Sequence, residues 1–497
     1  MNAKRCGFVG DVGPSLRRVN GGGARTCQRR SVVRSVVEST TKPIAVSLVA
    51  LGCPKNTVDA EVMLGDLESH GMVVEDDSAD ADVIIVNTCG FIEDAKRESI
   101  QAILEAASMK ESTARGVIVT GCLAQRYAAE LAKELPEVDA VVGFENYKTL
   151  ADQVRKIARP GAEPVSRVEV GKATVPFRPE WGRRRLAPKH TAYLRVAEGC
   201  DHTCTFCAIP SFRGKFRSKP WDQVVDEAHR LARQGAVELN LIAEDTNQYG
   251  SDFESDPRRL SDLLRELAKI EGIQWIRLLY CYPSYFSEDL VDAIAEVDKV
   301  VKYIDIPLQH ISESVLRGMQ RPGQKHTLTL LGRLRDRIPD LQLRSTFITG
   351  FPGESEEDHA ELVQFVKDFR FHRGGFFTYS EEDNTPAAGL DGQIDEETKV
   401  ARRDELVSLQ QDIQTEFAEK QVGKVINVLV DRVENGHAIG RAVFDAPEID
   451  CVVHLLQNVP PGLLVRAKVI ESDFLDLIAD CNPDVVDEEL AASQHQR

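Results

Sequence analysis

Cys200-Asp201-His202-Thr203-Cys204-Thr205-Phe206-Cys207 follows closely on Ala192 to Val196, an apolar run that reads as a strand. Further candidate strands are Val237 to Ile242, Trp275 to Leu279, Tyr303 to Ile306, Arg344 to Ile348 and Gly375 to Tyr379, with helical patterns between them. Six β/α units without a seventh and eighth predict a partial barrel. The cysteine loop then sits at the carboxyl ends of its strands, where βα loops gather and ligand chemistry occurs. Thiolates are the protein ligands of iron–sulfur clusters. Three of them hold three irons of a 4Fe-4S cube and leave the fourth iron open. An open position lets a substrate or cofactor bind the metal, as in catalytic zinc sites. The competing reading is a zinc site with His202 as fourth ligand, although zinc sites more often pair C-x2-C arrangements.

A second β/α series precedes the first. Ile44 to Ala50, Val83 to Val86, Val117 to Thr120 and Ala140 to Val142 read as strands. Val58 to His70, Ile92 to Ala107, Ala124 to Leu135 and Lys148 to Ile157 read as helices. This alternation predicts a parallel sheet covered on both faces. Cysteines recur just past its strands, in Leu51-Gly52-Cys53, Asn87-Thr88-Cys89 and Thr120-Gly121-Cys122. Ligands of open parallel sheets gather at this edge. One such cysteine is an ordinary packing residue; three at equivalent positions predict a second cluster with an open iron. Gly52, Thr88 and Gly121 are small enough to leave room for a bulky ligand.

The 497 residues suggest about three domains of ~150 residues each. The apolar runs are too short to span a membrane. Eleven cysteines in a long chain favour metal binding or catalysis over a disulfide scaffold. Cys281, Cys451 and Cys481 are isolated and read as packing residues. A net charge of −18 argues against a general nucleic-acid binder and fits a basic partner better. Residues 1–43 hold nine Lys or Arg against Asp11 and Glu38, with Ser, Gly and Val between and no long apolar segment. That is the composition of an organelle transit peptide. The expected organisation is a leader over 1–43, an α/β domain over 44–158 and a Pro/Gly/Arg-rich linker over 159–190. The barrel follows over 191–393, then a charged helical connector over 394–423. Five short strands over 424–480 read as a small antiparallel β-barrel, and 481–497 as a disordered tail.

The C-x3-C-x2-C spacing after a first barrel strand resembles the radical S-adenosylmethionine enzymes. With the cysteines of the α/β domain and the terminal β-barrel, the chain from Ile44 to about Asp480 resembles the methylthiotransferase family. The resemblance implies that Cys53, Cys89 and Cys122 ligate an auxiliary 4Fe-4S cluster, and Cys200, Cys204 and Cys207 the cluster that binds S-adenosylmethionine. It implies a terminal TRAM domain. Gly52-Cys53-Pro54-Lys55-Asn56, Pro210-Ser211-Phe212-Arg213-Gly214, Asp305-Ile306-Pro307-Leu308-Gln309-His310 and Asp445-Ala446-Pro447-Glu448-Ile449-Asp450 resemble the branch that modifies an aspartate of small-subunit ribosomal protein S12. Another branch modifies adenosine in tRNA.

In this family a 5′-deoxyadenosyl radical abstracts hydrogen from the aspartate β-carbon. Sulfur at the auxiliary cluster joins that carbon, and a second S-adenosylmethionine gives the methyl group. The resemblance also implies an electron donor such as ferredoxin or flavodoxin. Phe206 could pack on adenine, and Glu244 and Asp245 follow the second barrel strand. Gln309 follows the fourth, and Gly350, Gly353 and Glu354 form a turn after the fifth. These are the candidate S-adenosylmethionine contacts; the plainer readings are a helix cap for the acids and a tight turn for the glycines. Between Gln421 and Asp480, five bases face nine acids. RNA readers are usually basic, so this module needs no direct RNA recognition and suits the basic ribosomal protein. A tRNA substrate and a non-enzymatic iron–sulfur scaffold are the alternatives. The leader points to a plastid stroma over a mitochondrial matrix, or to the cytoplasm if it is no transit peptide.

Overall fold

A run such as Val83-Ile84-Ile85-Val86 has no polar alternation, so both faces of its strand must be covered. The computed structural model describes residues 42–159, 167–178, 182–186, 188–484 and 486; the expected leader, apart from Lys42 and Pro43, and most of the expected tail lie outside them. The first sheet comprises β1 (Ala45–Ala50), β2 (Val73–Val74), β3 (Val83–Thr88), β4 (Gly116–Gly121), β5 (Ala140–Val142) and β6 (Val168–Glu169). Its order is β2-β1-β3-β4-β5-β6, all parallel. Helices α1 (Pro54–Ser69), α2 (Glu93–Ser108), α3 (Cys122–Glu134) and α4 (Leu150–Ala158) alternate with the strands. Val83, Ile85 and Ile118 pack with Leu67 and Val154, so α1 and α4 cover one face. Ile84, Val86 and Val119 pack with Ile103 and Leu131, so α2 and α3 cover the other. The strand order reverses between β1 and β3, which is where open α/β sheets bind ligands.

The linker supplies β6 and then docks. Arg183 donates to Glu61 of α1 at 3.0 Å and to the Tyr193 carbonyl at 3.1 Å. Its guanidinium is buried between the first sheet and the barrel.

The second sheet contains β7 (Thr191–Arg195), and a two-strand ribbon of β8 (Ala197–Glu198) and β9 (Arg217–Ser218) follows it. The remaining barrel strands are β10 (Glu238–Ile242), β11 (Trp275–Leu278), β12 (Val300–Asp305), β13 (Gln342–Thr349) and β14 (Arg373–Thr378). The order β14-β13-β12-β11-β10-β7 is open and wholly parallel, the partial barrel expected. The β8–β9 ribbon pairs Ala197 with Ser218 and Glu198 with Arg217, and so closes the neck of the loop that carries Cys200, Cys204 and Cys207. The helix Glu396–Glu419 lies against β13 and β14, burying Leu406 and Ile413.

The terminal module is a closed barrel of β15 (Val425–Glu434), β16 (His437–Ala442), β17 (Val453–Leu455), β18 (Leu464–Asp473) and β19 (Asp476–Asp480). One correction applies: it is not wholly antiparallel, because β17 pairs with β19 in parallel. The last strand enters beside β17 after the β18–β19 hairpin, so it runs the same way as β17. The segment joining β16 to β17 plugs the amino end of the central barrel. Asp445 binds Arg373, the first residue of β14, and Asp450 accepts from the Tyr303 hydroxyl at 2.7 Å. Arg441 donates to Glu238, the first residue of β10, at 2.8 Å. Glu238 is fully buried. Burial opposes its ionisation, but the Arg441 and Arg277 guanidiniums outweigh that and hold its carboxyl at about 2. Arg441→Ala removes one of these guanidiniums from a buried carboxylate, which costs about 3 kcal/mol. The expected readout is a lowered melting temperature; an unchanged melt would mean that Arg277 alone compensates the charge.

Candidate active site

All three cysteines of the first set stand where a strand gives way to a helix. Cys53 is the N-cap of α1, whose first helical residue is Pro54, a position where proline is pre-organised. Cys89 lies between β3 and α2, and Cys122 is the first residue of α3. Helix amino termini favour negative charge, including thiolates. Glycines let the three loops touch. A Cβ at Gly52 would lie 3.0 Å from the Cys89 sulfur, and one at Gly121 would lie 2.4 Å from the Thr88 carbonyl oxygen. A Cβ at Gly90 would lie 2.8 Å from the Leu123 Cα. Gly52 and Gly121 therefore do not leave an open space, as the sequence suggested; they are filled by the neighbouring cysteine loop.

Side chains then fix the loops. Asn56 donates to the Leu51 and Thr88 carbonyls at 2.9 and 3.0 Å, spanning the β1 and β3 ends. Ser99 receives the Cys89 amide at 3.0 Å and donates to its carbonyl at 2.9 Å. Burial, with Cys53 adding to it, pushes the Cys89 thiol up to about 11. Burial, opposed by Arg213 and reinforced by Cys53 and Cys89, pushes Cys122 up to about 12. These thiols hold their protons until a metal displaces them.

The second set occupies the loop between β8 and α5 (Ile209–Arg213). Its backbone is lashed down: the Cys200 amide donates to Gly214 and Thr205 to Met319, both at 3.1 Å. Burial is the main cause that pushes Cys200 and Cys207 up to about 12. His202 is committed elsewhere than to a metal. Its Nε2 is 2.6 Å from Asp245, and its ring stacks on Tyr282 with centroids 3.5 Å apart. Arg321 lies over the Tyr282 ring at 4.1 Å and points Nη1 at the Cys204 sulfur, 3.7 Å away.

Among the described residues, no group of three His, Cys, Asp or Glu could hold a single metal ion. A cubane is far larger than one ion and keeps its ligand sulfurs further apart. Two sets of three thiols, half-buried apart from the buried Cys89 and Cys122 and each with a guanidinium at one sulfur, have the donor chemistry and the charge balance for such clusters.

The other candidate residues differ in what they offer. The Glu244 side chain is buried, and neither of its carboxylate oxygens has a hydrogen-bond partner. Asp245 is fully buried with Oδ1 also unpaired. Both stand just past β10 at the barrel mouth, open toward a polar ligand. Phe206 packs against the cluster of Val315, Met319 and Phe351. Gln309, with φ of +74°, stitches its backbone to Thr346 and Ile348. Gly350 and Gly353 have φ of +72° and +82°. The Glu354 carboxylate braces their turn, receiving the Gly350 and Phe351 amides at 2.7 and 3.1 Å and Arg402 at 2.9 Å.

The two sets share one interface. Lys55, two residues after Cys53, donates to the Ala243 carbonyl at 3.3 Å and lies over the Tyr280 ring. Arg213 reaches the other way. It donates to Asn56 at 2.8 Å and Asp59 at 3.0 Å, and its Nη2 is 3.5 Å from the Cys122 sulfur. Its Nη1 donates to Glu198 at 3.2 Å. The carboxyl edges of the two sheets thus face each other. Arg213, Arg321 and Tyr282 were given no role by the sequence reading. Only the position of Arg213, six residues after Cys207, gave a signal.

Comparison with known proteins agrees with this division. The family model described as "Uncharacterized protein family UPF0004" matches residues 45–143, the Radical SAM superfamily residues 194–366 and the TRAM domain residues 422–481. The chain is 43% identical over 440 residues to the ribosomal protein uS12 methylthiotransferase RimO of Clostridium tetani, covering 88% of this chain and 97% of that protein. It is 46% identical over 444 residues to the protein of the same name from Anaeromyxobacter sp., covering 87% and 92%. The solved structure of the radical S-adenosylmethionine methyltransferase TsrM from Kitasatospora setae, with cobalamin and a 4Fe-4S cluster bound, superposes with a TM-score of 0.53. That match is 17% identical and covers 70% of this chain and 74% of that one, a likeness of fold.

Proposed function

The chain belongs to the RimO family of ribosomal protein uS12 methylthiotransferases, and from that premise we propose that it adds a methylthio group to the β-carbon of an aspartate of uS12. One observation carries the reading: two separate sets of three cysteines stand on facing sheet edges across one interface, bridged by Lys55 and Arg213. Cys53, Cys89 and Cys122 hold one 4Fe-4S cluster and Cys200, Cys204 and Cys207 the other. When bound, the clusters and S-adenosylmethionine supply the one-electron chemistry that opens an unactivated C–H bond and the sulfur that takes its place. Cofactors of this kind do the hard chemistry, and the protein binds, orients and shields.

This chain's residues do those three things. Both Glu244 carboxylate oxygens and Oδ1 of Asp245 have no hydrogen-bond partner and are offered to the polar groups of S-adenosylmethionine. Asp245 also fixes His202, and through it Tyr282, beside the cysteine loop. Cys89 and Cys122 are buried, which shields that end of the interface from water. Cleavage of S-adenosylmethionine is reductive, so an external one-electron donor such as ferredoxin or flavodoxin completes the system.

The substrate reading rests on the family more than on the charge of the terminal module. Asp431, Asp445 and Asp450 are engaged with His190, Arg373 and Tyr303 of the barrel side, and Arg441 with Glu238. Setting these aside leaves four bases against six acids. The test is incubation of the reconstituted chain with uS12, tRNA, S-adenosylmethionine and reductant, followed by mass spectrometry. A methylthio gain on an aspartate of uS12 is expected. A gain on adenosine with none on aspartate would transfer the chain to the tRNA branch.

A further inference from the structure

We infer that Arg213 is a positioning residue that tunes the Cys53–Cys89–Cys122 centre, setting its electron affinity through the Cys122 sulfur while tying it to the loop of Cys200. This rests on the reading that those cysteines hold a cluster. Arg213 ends α5, six residues past Cys207, yet its guanidinium contacts the other cysteine set. It is almost wholly buried. Its planar fork has five donors in fixed directions, and they are divided between two domains. Nη2 faces Asn56, Asp59 and the Cys122 sulfur, while Nη1 bonds Glu198, which stands two residues before Cys200. Nε faces Glu244 at 3.8 Å.

A cation donating to a ligand sulfur stabilises the form of a cluster that carries the extra electron. Hydrogen bonds to sulfur and local charge are among the main controls of cluster potential. Burial makes the effect larger, because water does not screen it. Asp59 and Glu198 oppose it by neutralising part of the charge. The arrangement therefore makes predictions of opposite sign. Arg213→Gln removes the cation and disfavours reduction of the auxiliary cluster. Asp59→Asn removes an anion that faces the same guanidinium and favours it. A charge-assisted hydrogen bond is strong enough to shift the reduction equilibrium about tenfold, which is 59 mV for a one-electron couple.

The experiment uses the full chain with Cys200, Cys204 and Cys207 all replaced by alanine, so that only one cluster remains. Its potential is measured by redox titration followed by electron paramagnetic resonance. Adding Arg213→Gln is expected to lower the potential by about tenfold in the equilibrium, Arg213→Lys to keep it near the parent, and Asp59→Asn to raise it. A purely structural role would not reverse sign between the Arg213 and Asp59 variants. If Arg213→Gln binds iron but titrates like the parent, the inference is overturned. If Arg213→Gln fails to bind iron, Asp59→Asn decides alone, and an unshifted or lowered potential there overturns it. If the parent itself binds no iron, the assignment of Cys53, Cys89 and Cys122 falls first and takes this inference with it.

Discussion

Cys200→Ala is expected to abolish cleavage of S-adenosylmethionine to 5′-deoxyadenosine, whereas Cys53→Ala is expected to leave that cleavage measurable and to remove sulfur insertion alone. The contrast follows from where each cysteine sits. Cys200 leaves the β8–β9 neck, and its backbone stays bonded to Gly214 whatever its side chain. The alanine variant keeps the loop and loses one of three thiols. Two thiolates cannot hold three irons and leave one open. Cys53 belongs to the other sheet, at the start of a helix whose geometry is set by Pro54 rather than by the thiol. The Cys53 variant keeps the whole Cys200–Cys207 loop and its braces, Thr205 on Met319 and His202 on Asp245. High-performance chromatography of 5′-deoxyadenosine and mass spectrometry of uS12 separate the two outcomes. Equal loss of cleavage in both variants would sink the division of labour between the two sets.

The parts of this fold legible in the sequence were those with a period and a ligand type. Val83-Ile84-Ile85-Val86 reads as a strand covered on both faces, and six further candidate strands, several with polar residues among the apolar ones, gave the barrel strands within a few residues each. Cysteines one small residue past three strands placed themselves at one sheet edge. Elements without a period stayed hidden. β2 and β6 are two residues long and exist because a sheet edge was available to them. The parallel seam between β17 and β19 is a matter of closure, which no local pattern records. Charge was misleading where it was buried: Asp445 and Asp450 counted toward an acidic surface but face Arg373 and Tyr303. Arg213 is the sharpest case. Its place in the Pro210–Gly214 stretch after the cysteine loop marks the residue but not its partner, and its function depends on a contact to Cys122, 91 residues away in the chain.

Gly121 at the cysteine edge carries the second large effect, and Gly71, in the turn between α1 and β2, separates geometry from backbone freedom. Gly121 has φ of +93°, and a Cβ there would meet Thr88 O at 2.4 Å, Asn87 Oδ1 at 2.5 Å and Thr88 N at 2.6 Å. Gly71 has φ of +80° in the turn after α1, with nothing within 4 Å of its Cβ position. Both alanine variants incur the left-handed conformation, about 1–2 kcal/mol. Gly121→Ala adds overpacking against backbone that cannot move aside, for a total of about 2–5 kcal/mol. The strain has one direction of relief, which is to push the start of α3 away from β3. That carries Cys122 away from Cys89 and from Arg213. Gly121→Ala is therefore expected to lower the melting temperature and to lose the iron held by the first set, while the second set stays loaded and cleaves S-adenosylmethionine. Gly71→Ala should show a smaller melting shift with full iron and full methylthio product. Iron and sulfide content, measured beside circular dichroism, distinguishes the variants. A Gly121→Ala chain that kept all its iron and its product would mean that the close approach of the β3 and β4 loops is not what holds Cys122 in place.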